Sequence, residues 1–462
     1  MSNARLAAPP LSIDRLVDKE TGIIRSVREV LLPERAPDAY TSLTAEVSDA
    51  RRLGEWPADR VSLGTTFGDP EGARIAAIAE AVERYCGNFL PNQLEKSQHR
   101  IGTAAGLRAE GLNVVDLATL PQYAQWQLSR PGFPYQNLTD NVRTLWSVCL
   151  DQDDQESWLP ASLVHLNWRQ SGFRELDRVH HLNYAGIATG QGVQDAHDRG
   201  LLEVLERDAL ELWWHLDAPA IGIDPGSVPG LSEAMAGCDL EYWLVSMPSR
   251  FAPAFAALVY DPLTGLYAAG FSCKTDPAEA ARKAVLEAVH TWIYTQGCVE
   301  ADGWVFQAVA AGLMAKGLFL AHRQDRHYLA SVGADFANVV DLGAHVQVWL
   351  DPEVSSLALR FTKPALGVKP LASVSATTMP EVHSRLNAAG HRIFRRDLTT
   401  PDIAQTSLRV VRTFVSSFIP NAPAAFAYLG CPRFGEVAVQ EGWRSKVPEH
   451  PSDFTLTPPP HM

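Results

Sequence analysis

Gly186-Ile187-Ala188-Thr189-Gly190-Gln191-Gly192-Val193-Gln194-Asp195-Ala196, followed seven residues after Ala196 by Glu203-Val204-Leu205-Glu206-Arg207, is the segment on which the fold turns. A Gly-rich stretch, expected to be a turn, leads into a helix over about 195–215. The same design occurs twice more. Gly64 to Gly68 and Asp69-Pro70-Glu71-Gly72-Ala73 precede Glu80, and Thr275-Asp276-Pro277-Ala278-Glu279-Ala280 precede Glu287. In each unit an alanine and a glutamate stand seven residues apart, about two helical turns, and so share a face. Asp-Pro opens two of the helices well, because proline's fixed φ suits the first helical position. Strand-like segments at 144–150, 241–247 and 254–260 lie between and around these helices. The fold class predicted is therefore α+β (mixed), with repeated turn-helix units.

The first two units share more than spacing. Glu80-Ala81-Val82-Glu83-Arg84 and Glu203-Val204-Leu205-Glu206-Arg207 are both E-x-x-E-R. Glutamates at i and i+3 stand side by side on a helix, so two such helices can converge four carboxylates. Hard divalent cations such as Mg²⁺ take oxygen ligands of this kind and bind phosphates at the same time. Either motif alone is ordinary helix surface, with an i,i+4 Glu–Arg pair worth about 0.2–0.5 kcal/mol. The neighbours shift the weight. Ala76, Ala77, Ile78, Ala79, Ala81 and Val82 surround the first motif, and Leu201, Leu202, Val204 and Leu205 the second. Helices apolar nearly all round are buried, and buried carboxylates are costly unless paired or metal-bound.

Composition bounds the function. The 462 residues include 40 Lys and Arg against 53 Asp and Glu, a formal net charge of −13, and 46% are hydrophobic. That balance disfavours a nucleic-acid binder and a polybasic membrane-surface protein. It does not exclude a phosphate-bearing ligand, since a bound divalent cation supplies positive charge. No apolar run is long enough to span a bilayer, and Met1–Pro10 lacks the apolar core of a signal peptide. Cys86, Cys149, Cys238, Cys273, Cys298 and Cys431 form no C-x-x-C pair. They read as reduced thiols, with a cytoplasmic location expected. Three segments are expected: 1–60 at the N-terminus, a catalytic domain over 61–440, and a Pro-rich tail over 441–462. The polar Arg51–Arg60 stretch is expected to be a loop. Trp213 and Trp214 are core candidates, Cys86 a small buried residue, and His180-His181 a loop or strand edge.

These residues resemble the YcaO family of ATP-dependent enzymes, which carries E-x-x-E-R twice, a Gly-x-Ala-x-Gly segment before the second copy, and an Arg-x-x-x-Glu helix further on. The resemblance runs from about residue 12 to the end. It is strongest to the azoline-forming cyclodehydratases, through Asp18-Lys19-Glu20-Thr21-Gly22-Ile23-Ile24, Arg396-Asp397-Leu398-Thr399-Thr400-Pro401-Asp402-Ile403 with Leu408-Arg409-Val410-Val411, and Pro458-Pro459-Pro460-His461-Met462. It implies ATP and Mg²⁺ as cofactors. Glu80, Glu83, Glu203 and Glu206 match the Mg²⁺-holding carboxylates, and Arg207 a phosphate-contacting arginine. Gln191 and Asp195 stand where the family has a nucleotide-contacting Asn and Glu, and Lys283 and Glu287 match the later Arg and Glu. In this branch the tail reaches the active site, which implies a catalytic role for Pro460 and the Met462 carboxylate. Four departures stand out. Tyr184-Ala185-Gly186 replaces Ser-Asn-Gly; the segment around Gly64 lacks a lysine; Lys283 offers a point charge in place of a forked guanidinium; and the tail is not a regular Pro-x-Pro-x-Pro.

By resemblance, the reaction converts Cys, Ser or Thr of a ribosomal precursor peptide into thiazoline or oxazoline, with ATP phosphorylating the backbone amide oxygen. The short stretch before Asp18 leads to the expectation of a separate leader-binding partner related to ubiquitin-activating enzymes. A dehydrogenase is a further expected partner, and a homodimer the expected assembly. Three other readings stay open. One is a YcaO enzyme forming a thioamide or amidine; another is a non-catalytic YcaO scaffold; the third is a carboxylate-bridged metal oxidoreductase, disfavoured by the absence of E-x-x-H from the two E-x-x-E-R helices.

Overall fold

The computed structural model describes residues 10–48, 60–88, 97–169, 171–312 and 314–462. The expected loop at Arg51–Arg60 lies outside these residues except for Arg60, and the first nine residues lie outside them too. Three sheets organise the chain. The first is antiparallel and holds β1 (Ile24–Glu29), β2 (Tyr40–Val47) and β3 (Val61–Phe67) in that order. The second contains β4 (His99–Gly102), β5 (Thr144–Asp151), β6 (Glu156–Pro160) and β7 (Ile187–Gln191). The third contains β8 (Ile221–Ile223), β9 (Glu241–Ser246), β10 (Ala254–Asp261), β11 (Leu266–Cys273) and β12 (Val368–Lys369). Two late strands, β13 (Ile393–Asp397) and β14 (Leu408–Val415), complete the second sheet. Its order is β4-β5-β13-β14-β7, with β6 paired to β5; the third sheet runs β11-β10-β9-β8-β12.

Each sheet ends in an edge strand that leads directly into a long helix. β3 precedes α1 (Pro70–Asn88), β7 precedes α2 (Val193–Leu216) and β11 precedes α3 (Pro277–Gln296). The Asp276 side chain accepts from the Glu279 N–H at 2.8 Å, capping α3 ahead of Pro277. Asp69 accepts from the Gly72 N–H at 2.9 Å at the start of α1. Each helix packs on its own strand and also touches the strand of the next unit, α1 on β7, α2 on β11 and α3 on β3. The three units therefore close into a ring.

Two expected turns are strands. Gly64 lies within β3, and Ile187–Gln191 of the Gly-rich segment form β7, with turn geometry left only at its two ends, Gly186 at φ +91° and Gly192 at φ +105°. Glycine serves here to bring strand and helix backbones together. A Cβ at Gly64 would lie 1.9 Å from the Ala73 carbonyl oxygen, and one at Gly190 would lie 2.3 Å from the Ala196 nitrogen. One at Gly270, in β11, would lie 2.2 Å from the Ala288 nitrogen and 2.3 Å from the Ala284 oxygen. In the first two units the close partners are the helix-start alanines, Ala73 and Ala196; in the third they lie mid-helix, at Ala284 and Ala288.

The core follows from this layering. α2, α3 and the third sheet share one apolar cluster, with Trp213, Trp214 and Trp292 fully buried in it. A second cluster fills the space between α1 and the first two sheets. A third gathers Tyr123, Phe426 and Tyr428 with Phe454. β1 pairs with β2, and β2 pairs with β3 across the 60/61 boundary. Gly270→Ala is expected to destabilise the protein by about 1–3 kcal/mol or more in urea unfolding, because both clashing atoms are backbone. A loss below about 0.5 kcal/mol would contradict the close strand–helix packing.

Candidate functional site

The inward faces of α1, α2 and α3 carry the glutamates, and the ring decides what each one meets. The first glutamate of each E-x-x-E pair accepts from its own unit. Glu80 Oε2 receives the Leu63 N–H of β3 at 3.1 Å, and Glu203 Oε2 receives the Gly186 N–H at 2.9 Å. The second accepts from the next unit. Glu83 Oε1 receives the Thr189 N–H of β7 at 2.7 Å, and Glu206 Oε2 receives the Cys273 N–H of β11 at 3.1 Å. Each such bond contributes about 0.5–1.5 kcal/mol to a neutral carboxyl and about 1.5–3 kcal/mol to an ionised one. Gly186 is at φ +91°, and a Cβ there would lie 2.3 Å from the Thr413 oxygen, so only glycine presents its N–H to Glu203 in this way.

The cations follow the expected i,i+4 spacing in each unit. Arg84 meets Glu80 at 2.9 Å, Arg207 meets Glu203 at 3.8 Å, and Lys283 meets Glu287 at 2.5 Å. Arg207 also lies 3.4 Å from Glu206. Five carboxylates thus share three directly paired cations, with Lys274 and Arg412 acting on Glu206 and Glu203 from further away.

The imbalance is visible in the proton affinities. Burial, then repulsion from Glu80 and Glu203, pushes Glu83 from 4.5 up to about 8 against the Thr189 bond. Burial likewise raises Glu206, with Glu203 and Glu287 adding to it and Arg207 opposing. Glu287 behaves oppositely: burial would raise it, but Lys283, His290 and His461 hold it at about 2. Burial would lower Lys283, yet Glu287, Glu206 and Glu80 keep its ammonium above the ordinary value. Among the described residues, the buried Nε of Arg207 meets no acceptor. A crowded carboxylate set in which Glu83 and Glu206 hold protons abnormally tightly, beside an unsatisfied guanidinium, fits a divalent cation together with an anionic ligand.

The tail forms one wall of this site. The Trp214 and Trp349 indole N–H groups donate to the Thr457 and Pro458 carbonyls, each at 2.7 Å. The Ala269 N–H of β11 donates to the Pro460 carbonyl at 2.6 Å, Pro460 is buried, and Met462 packs half-buried against the main core. His461, which sequence reasoning passed over, lies against Arg207, with Nε2 3.4 Å from Nη1. Its Nδ1 faces the Ala269 carbonyl at 3.1 Å, which assigns the proton to Nδ1 and the lone pair to Nε2. Burial and the nearby Arg207 lower the ring's pKa to about 3.

Not every expected residue faces the carboxylates. Gln191 is exposed at the end of β7; its N–H donates to Asp195 at 2.8 Å, and Asp195 pairs with Arg199 at 2.9 Å. Two further residues escaped the sequence reading. His290 stands three residues after Glu287, in register with Glu83 and Glu206, so the third unit is E-x-x-H; Nδ1 lies 3.4 Å from the Tyr40 hydroxyl. Extending the seven-residue repeat by three positions would have found it. Arg412, fully buried in β14, donates to the carbonyls of Val164, Asn183 and Ala185, fixing the segment that delivers Gly186. It had no sequence signal, because its partners are main-chain groups. Tyr184 lies under Arg84, 4.1 Å from guanidinium carbon to ring centroid. Trp213, Trp214 and Cys86 are buried as expected; burial pushes the Cys86 thiol up to about 12, an inert group. His180 is buried in a loop, with Nδ1 2.8 Å from the Ser162 hydroxyl.

A family model described as YcaO cyclodehydratase, ATP- and Mg²⁺-binding, matches residues 66–419. The chain belongs to the YcaO family. Among curated relatives, an uncharacterised protein of the tfuA 3′ region of Rhizobium leguminosarum bv. trifolii is 25% identical over 241 residues, covering 48% of this chain and 53% of that one. An uncharacterised protein of Methanothermobacter thermautotrophicus is 28% identical over 225 residues, covering 46% and 53%. The matched region thus spans about half the length of each of these relatives. Among solved structures, a heterocyclase in complex with substrate and cofactor superposes with a TM-score of 0.68 at 17% identity, covering 97% of this chain and 56% of the other. The YcaO protein of Methanopyrus kandleri bound with AMPPCP and Mg²⁺ gives 0.52 at 15% identity, covering 93% and 90%. These likenesses establish the YcaO heterocyclase fold. No helix among the described residues is long and apolar enough to cross a membrane.

The carboxylate crowding has a measurable sign. Between about 4.5 and about 8 the native protein holds a proton on Glu83 that the unfolded chain has released. The stability of the metal-free protein therefore falls as pH rises through that window. Glu83→Gln should flatten this slope in thermal unfolding with chelator present. A variant with the wild-type slope would contradict the crowding.

Proposed function

We propose that this chain is an ATP-dependent peptide cyclodehydratase, converting Cys, Ser or Thr of a ribosomal precursor peptide into thiazoline or oxazoline rings. The observation that carries the reading is the inward carboxylate cluster, charge-crowded at Glu83 and Glu206 and bordered by the unsatisfied Arg207 Nε. It lies within the stretch matched by a family described as ATP- and Mg²⁺-binding.

In this reading Glu80, Glu83, Glu203 and Glu206 hold Mg²⁺, and Gln191, Asp195, Arg207, Lys283 and Glu287 serve the nucleotide. When bound, ATP supplies the phosphoryl group that converts the amide oxygen into a leaving group. The chain's contribution is positioning and charge. Arg207, anchored by Glu206 and the tail's His461, directs its guanidinium at developing phosphate charge. Lys283, kept protonated by Glu287, adds a second positive charge. Pro460 and Met462 hold the tail across the site, which keeps water out and His461 in place. A separate leader-binding protein presents the peptide, a dehydrogenase oxidises the azolines, and the enzyme works as a homodimer in the cytoplasm.

The decisive experiment measures ATP hydrolysis and product mass with precursor peptide and leader-binding partner. The wild type should lose one water from the peptide per ring and hydrolyse ATP in step. Glu203→Gln should lower both rates by about 10²-fold or more. Equal rates in the two proteins would overturn the metal assignment. Exchange of oxygen for sulfur in the peptide would replace azoline formation with thioamidation.

The tail makes a separate prediction. His461→Ala should leave Arg207 without its tail contact and cut turnover by about tenfold, with the KM for peptide little changed. Unaltered turnover would reduce the tail to a structural strap.

A further inference from the structure

On the side of α2 that carries His197 and Asp198, a second group of potential ligands stands at a cavity of about 170 Å³, which His197 and His383 line. His197 and Asp198 come from the first turns of α2, and His383 from α4 (Met379–Ala388). One ligand atom from each lies within 4.8 Å of the others. Gln152, Gln194, Ile393 and Arg395 line the rest of the cavity.

The hydrogen bonds around the cluster prepare it for a metal. The Thr413 hydroxyl donates to the His197 carbonyl at 3.2 Å, so at 2.9 Å from the ring it accepts from Nδ1–H. That leaves the lone pair of His197 on Nε2, the arrangement in which an outer hydrogen bond fixes the ligating nitrogen. The Gln194 side-chain amide donates to Asp198 Oδ1 at 2.8 Å and orients the carboxylate. His197 is buried, and burial, with His383 adding to it, lowers its pKa to about 4, so the ring is neutral as a ligand must be. Against burial, the nearby His383 and the Gln194 bond hold the Asp198 carboxyl below the ordinary carboxylate range. Arg395, which lines the cavity, is engaged by Asp154.

We propose that His197, Asp198 and His383 form a zinc(II) site, with solvent in the fourth position, that ties the start of α2 to α4. Two imidazoles and one carboxylate match the ligand preference of zinc over that of magnesium. Zinc bonds of about 2.0–2.2 Å place ligand atoms about 3.3 Å apart. His383 Nε2 is now 3.7 Å from Asp198 Oδ1, and this half-exposed side chain closes the remaining gap.

The test uses the full chain, stripped with a chelator and titrated with zinc(II) chloride in excess Mg²⁺, which occupies the glutamate cluster. Zinc bound per chain and the thermal midpoint are read together. The wild type should bind one zinc tightly and melt at higher temperature with it. His383→Ala and Asp198→Asn, both at partly exposed positions, should each bind at least about tenfold more weakly. His327→Ala, at the separate His327–Asp351–Glu353 group, should match the wild type. Absence of zinc binding by the wild type, or wild-type affinity in both site variants, would overturn the proposal. The readout does not involve ATP turnover, so its failure is distinct from failure of the cyclodehydratase reading.

Discussion

The bonds from the Thr189 N–H to Glu83 and from the Cys273 N–H to Glu206 are the constraint around which the rest is arranged. Each links a helix of one unit to the edge strand of the next. A carboxyl group bonded to a strand backbone cannot swing out to solvent without breaking that hydrogen bond. The second glutamate of each pair is therefore held inward even though its neighbours repel it. The depth at which the helices sit depends in turn on Gly64, Gly190 and Gly270, whose missing side chains let helix and strand backbones meet. The third unit closes the ring with histidine in place of the second glutamate, so the cluster is charged asymmetrically.

That asymmetry separates two behaviours within one cluster. Beside α3, Glu287 is neutralised internally by Lys283 and ionises more readily than a free carboxylate. Beside α1 and α2, the glutamates outnumber their cations, and the second of each pair, Glu83 and Glu206, holds its proton more tightly. A cation entering between them would relieve repulsion already present in the fold, and Arg207 and Lys283 are the positive charges paired with the cluster. A strongly acidic protein can in this way hold a polyanion. The overall charge of −13 describes mainly the solvated surface, and the site runs on local imbalance.

Much of this was legible along the chain. The seven-residue spacing of alanine and glutamate, the doubled E-x-x-E-R and the Asp-Pro openings are local patterns with helical meaning, and the helices at Pro70–Asn88, Val193–Leu216 and Pro277–Gln296 follow from them. The glycines misled, because glycine favours both turns and tight backbone contacts, and one sequence does not distinguish the two. Arg412 and His461 were not legible as site residues, since what they touch is main chain or a side chain far away in sequence.

By itself the sequence determined which residue types could supply the chemistry, and that they recur on three helices with the same face turned one way. Helical periodicity is a local property, so it can be read without knowing the neighbours. Only the tertiary structure decided that the helices close into a ring, that each second glutamate bonds to the following strand, and that the tail lies against Arg207. Those outcomes depend on sheet order and on contacts between segments separated by up to hundreds of residues, and no local pattern specifies them.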